Sequence, residues 1–113
     1  MSMNELDQAI LVRCLEGQPR GWEDFVDRFL GLVVHVIDHT VRVREIPIDT
    51  EQRDGLCEDV FAILYHDSFR ILREFDGECS LTTYMTIIAR RIVVRLLLNR
   101  KAKGIVTKER VAA

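Results

Sequence analysis

Two constellations in this 113-residue sequence carry groups with chemical potential. His35 and His39 stand four apart, so a helix would put both on one face, with Asp38 beside them. A structural or catalytic metal needs three or four ligands at compatible spacing. The sequence offers no HExxH and no third ligand at a matching distance, so two half-exposed histidines account for the pair. The second constellation is the stretch 80–103, which carries Arg90, Arg91, Arg95, Arg100, Lys101 and Lys103 and no acid. On a wheel at 100° per residue, Tyr84, Arg91 and Arg95 fall together, and Thr83, Arg90 and Lys101 fall on the far side. A ring beside two guanidinium groups is what single-stranded nucleic acid requires, namely stacking plus phosphate neutralisation. The residues alone admit a second reading, in which Tyr84 edges a core and the arginines snorkel over it. No glycine-rich phosphate loop, GxSxG or triad order is present, so the expectation is a non-enzymatic protein without cofactor.

The elements that must position these groups all read as helices. The stretch 80–103 runs 24 residues without Gly or Pro, roughly 36 Å of helix at 1.5 Å per residue. Leu81, Met85, Ile88, Ile92 and Leu96 form its expected core stripe. Upstream, apolar spacing over 4–16 predicts a helix stopped by Gly17. Pro19 suits the first turn of a second helix, whose stripe runs from Trp22 through Phe25, Phe29 and Val33 to Val36. Residues 41–49 alternate like a strand, but a lone strand has no partner, so a helix extension ending before Pro47 is preferred. Asp49 and Gln52 have the form of a capping box opening a third helix. That helix would bury Leu56, Val60, Phe61, Ile63 and Leu64 and expose Glu51, Asp54, Glu58 and Asp59. Ser68 would cap a short helix over 69–75, and Asp76-Gly77 would turn the chain into the basic helix. The fold class expected is all-α, a compact bundle of about four helices with a long basic C-terminal helix.

Composition bounds the rest. The length is that of one domain able to bury a core without staples. Net charge is only −2, but residues 1–80 hold 8 basic and 17 acidic side chains, while 81–113 hold 8 basic and one acidic, Glu109. Such asymmetry points to one acidic and one basic partner surface. Cys14, Cys57 and Cys79 are odd in number and widely spaced, which reads as reduced thiols and a cytoplasmic setting. No signal peptide or uninterrupted apolar span is visible, so no membrane insertion is expected.

In order, the Gly-Gln-Pro-Arg-Gly-Trp turn, DGLCEDVFAIL, FDGECSLTTYMTIIARR and a basic helix end resemble the second conserved region of bacterial RNA polymerase sigma factors. Within that family the sequence is similar to the extracytoplasmic-function (ECF) group, over about residues 6–103. The resemblance implies that Asp54, Leu56, Glu58, Asp59 and Phe61 bind the clamp helices of the largest subunit of core RNA polymerase. It implies that the loop of Asp76, Gly77, Glu78, Cys79 and Ser80 takes a flipped-out base of the promoter −10 element. Tyr84 matches the promoter-melting aromatic position, with Thr82 and Thr83 beside it. Arg90, Arg91, Arg95, Asn99, Arg100, Lys101 and Lys103 would lie along promoter DNA, chiefly the non-template single strand. Base specificity would reside in the loop rather than in the arginines.

Two departures qualify the resemblance. Gly55 and the Glu58-Asp59 pair replace the family's Asp and Gln-Glu in the polymerase-binding helix. No helix-turn-helix follows, so 1–103 reads as the sigma-like domain and 104–113 as the start of a linker to a missing second domain. An alternative is a sigma-like interaction module that has lost polymerase binding and sequesters a regulator such as an anti-sigma factor, which is also a candidate partner of the first reading.

Overall fold

The computed structural model describes residues 5–102, with side chains through Arg100. They form four helices, α1 (Glu5–Leu15), α2 (Gly21–Val43), α3 (Thr50–Arg73) and α4 (Leu81–Ala102), with no strand among the described residues. The central element is α2, which packs against all three others. Its buried positions Phe25, Phe29, Val33, Ile37 and Val41 recur every four residues, and so do Leu81, Met85, Ala89, Val93 and Leu97 of α4. Ridges with this step are the commonest way two globular helices interlock.

The four-residue step alters the stripe expected for α4. Ile88 and Leu96 are only half-buried, while Ala89, Val93 and Leu97 take the centre beside Leu81, Met85 and Ile92. Four residues advance about 400° on a helix, so such a ridge slants roughly 40° per step. A stripe drawn parallel to the axis misses that slant, which appears only when the helix crosses a partner obliquely.

Helix boundaries follow local chemistry. The N–H of Gln18 reaches the Arg13 carbonyl and that of Gly17 reaches Cys14, a Schellman stop for α1. The same pattern ends α2 through Ile46 to Val41 and Glu45 to Arg42, with Glu45 rather than glycine at positive φ, 58°. Pro19 lies in the turn before α2, whose N-cap is Arg20 at φ 61°. Gly21 opens α2 against α1 so closely that a Cβ there would lie 2.5 Å from the Arg13 carbonyl oxygen. Arg13 then pairs with Asp24 at 2.7 Å, and Arg28 grips the buried Asp7 carboxylate at 2.7 and 3.2 Å. The capping box of α3 is present in full, with both Asp49–Gln52 bonds at 2.8 Å.

The segment after Tyr65 departs from the sequence reading. No Ser68-capped helix begins at 69; instead Asp67, Ser68 and Phe69 form one left-handed turn, φ 58°, 56° and 63°, inside α3. Each such residue costs roughly 1–2 kcal/mol. The turn folds Phe69 back onto Trp22, 5.5 Å between centroids, and onto Tyr65 at 5.1 Å. Arg73 fastens it by donating to the carbonyls of Ser68 (2.7 Å) and Leu15 (2.8 Å).

Candidate nucleic-acid interface

The basic helix is launched from a tightly ordered loop. Gly77 takes φ 82°, and the Asp76 carboxylate accepts the Glu78 N–H at 2.9 Å. Ser80 caps α4 by accepting the Thr83 N–H at 3.0 Å and donates its hydroxyl to Thr83 Oγ1 at 2.9 Å. Asp76, Gly77 and Glu78 are exposed and Cys79 and Ser80 half-buried, so the loop presents polar groups of mixed kind. Thr82 and Thr83 are exposed on the first turn.

Tyr84 is held in place. Its hydroxyl donates to the Ile71 carbonyl at 2.7 Å and its ring packs on Phe75, 5.0 Å between centroids. Burial pushes its phenol above the ordinary range, with Glu74 and Asp76 adding to the rise and Arg91 opposing it. The ring is thus engaged between α3 and α4 rather than standing free for a base.

The arginines divide into two groups. Arg90, Arg91 and Arg95 are exposed, and among the described residues no carboxylate pairs with them. With Val94 and Leu98 they line a shallow open depression on the outward side of α4. Arg100 turns instead toward α3, where its guanidinium lies 3.6 Å from Asp59. Asn99 is exposed, Lys101 belongs to the last described turn, and Lys103 lies outside the described residues.

Of the five residues read as a polymerase contact, three form a surface. Asp54, Glu58 and Asp59 are exposed, whereas Leu56 is 0% and Phe61 7% exposed, both inside the core. These two hold the helix to the bundle, Leu56 fully enclosed and Phe61 reaching the surface only where it lines the groove between α2 and α3. The acidic groups also lift the buried Cys57 thiol, after desolvation, through Asp54 and Glu58. Beside Glu58 an apolar groove runs between α2 and α3, lined by Trp22, Val26, Leu30, Phe61 and Tyr65.

His35 and His39 are exposed with their rings 6.4 Å apart, and no group of three metal-binding side chains occurs among the described residues. Among them, too, no helix is long and apolar enough to cross a membrane. The sequence reading passed over Ile87, Val94 and Leu98, which share the outward face of α4 with the arginines. The wheel held that signal, since the three fall within about 40° of one another.

No protein-family profile matches the chain, and no characterised protein or solved structure is detectably similar to it.

Proposed function

We propose that this chain is a sigma-like promoter-binding domain, which attaches to core RNA polymerase through α3 and holds unpaired −10 DNA along α4. One observation carries the reading: an acid-free outward face bearing Arg90, Arg91 and Arg95, unpaired among the described residues, on the helix that follows the ordered loop 76–80. Charge segregation supports it from the other side, because Asp54, Glu58 and Asp59 stand exposed on α3. The domain acts without covalent chemistry. Polymerase fixes the acidic helix, and preferential binding of the unpaired strand shifts the closed–open equilibrium.

The test is retention by core polymerase. The wild type is expected to be retained and the Glu58→Lys, Asp59→Lys double variant lost; no retention of the wild type would sink the reading. Alone, the chain is expected to bind a single-stranded oligonucleotide weakly, with a salt slope near −0.7 per phosphate neutralised. Gly55 in the middle of the acidic face favours a second reading, an interaction module of the same fold that binds a regulator and no polymerase. The same retention experiment separates the two.

A further inference from the structure

The outward face of α4 is not simply cationic. Ile87 is 40% and Leu98 55% exposed, and Val94 lies half-buried between them. These three make a narrow apolar stripe, with Arg90 along one edge and Arg91 and Arg95 along the other. Solvated solubilising arginines need no apolar stripe between them, and phosphates alone give it no partner. Among the described residues no other helix covers it, since α4 turns Leu81, Met85, Ala89, Val93 and Leu97 to the core instead.

The occupant must be a polyanion, because three guanidinium groups line the stripe and no acid occurs in 80–103. It must also offer an apolar edge. Among the nucleobases of DNA and RNA, thymine does so through its C5-methyl group, which apolar side chains contact when they read it. From this we infer that Ile87, Val94 and Leu98 cover thymine methyl groups of an unpaired DNA strand whose phosphates Arg90, Arg91 and Arg95 hold. The stripe adds a second place of base discrimination, apart from the loop 76–80. It also distinguishes thymine-bearing DNA from uracil-bearing RNA. The inference rests on the reading of α4 as a nucleic-acid face, and it fails separately from that reading.

The discriminating probe is a pair of single-stranded oligonucleotides of equal length, one of deoxythymidine and one of deoxyuridine, which differ only in the methyl group. Binding is measured by fluorescence anisotropy with the full chain over a salt series starting near the lowest salt that keeps it soluble. The thymine strand is expected to bind tighter, by about fourfold for each methyl group fully covered. Ile87→Ala with Leu98→Ala, both at exposed positions, should abolish that preference and leave the salt slope unchanged. Arg91→Ala with Arg95→Ala should weaken both strands together and reduce the slope. Ile87→Thr with Leu98→Gln makes the same two positions polar and should likewise abolish the preference.

Equal affinity for the two strands would overturn the inference and leave the nucleic-acid face standing. Absence of binding to either strand at the lowest salt would overturn both. Binding to phosphatidylserine vesicles that is lost in the Ile87→Ala, Leu98→Ala variant, with no preference between strands, would assign the stripe to lipid and overturn it as well.

Discussion

Gly21 and Gly55 show how far apart two glycines of one chain can be in consequence. A Cβ at Gly21 would press on the Arg13 carbonyl at 2.5 Å, and backbone cannot swing aside as a side chain does. Gly21→Ala should therefore destabilise by about 1–3 kcal/mol in urea unfolding, the usual range for overpacking. Gly55 has nothing within 4 Å of its would-be Cβ and sits inside α3, so Gly55→Ala should stabilise by about 1 kcal/mol. At the same scale, the buried Cys14 thiol is pushed by burial from its ordinary 9.0 up to about 11, with Arg73 opposing. Its folded value is raised, so its contribution is complete below pH 9 and is lost as pH rises through 11, on the order of 2 kcal/mol. Tyr84, also raised, titrates in the same alkaline direction. Denaturant midpoints followed from pH 8 to 11 should fall, and Cys14→Ala should flatten the decline.

The element with the sharpest local signature is the left-handed turn in α3. At Ser68, φ 56°, glycine is as comfortable as any residue and serine is not. Ser68→Gly should stabilise the protein by about 0.5–1 kcal/mol. In an uninterrupted helix the same change would cost about 1 kcal/mol, so the sign of the shift in urea midpoint decides between the two backbones. The turn carries no glycine or proline, so it had no composition cue, whereas the stop at Glu45 lacks glycine but is followed two residues later by Pro47, which marked the end of α2. The turn is imposed from outside, by Phe69 on Trp22 and Arg73 on Leu15. Where the local code was strong, it was legible: the Asp49–Gln52 capping box and the Gly17 stop both stand where their residue types and spacing placed them.

Across the whole molecule, charge is sorted between an acidic α3 and a basic α4, and the two meet at Arg100 and Asp59, 3.6 Å apart and both partly exposed. An exposed pair of this kind contributes at most about 1 kcal/mol. On the proposed function, Asp59→Asn frees Arg100 for phosphate and should raise single-strand affinity by up to about fivefold at low salt, with the gain fading as salt rises. A titration of the isolated chain at two salt concentrations checks both parts. On the same proposal, a cationic partner that engages Asp59 would release Arg100.

The sequence by itself determined the helices, their principal caps, the acidic outer face of α3 and the cationic character of α4, because each depends on residue type and near-neighbour spacing. Only the tertiary structure decided which side of α4 faces out. An axis-parallel stripe put the arginines on either side of the core, whereas the slanting ridge of Ala89, Val93 and Leu97 sets Arg90, Arg91 and Arg95 on one face with Ile87 and Leu98. The structure likewise drew Leu56 and Phe61 into the core and tied Tyr84 to the Ile71 carbonyl. Periodicity says that a helix has an apolar side, but the crossing of α4 over α2 selects which residues that side buries, and crossing geometry lies in the packing of two surfaces rather than in the order of residues along one chain.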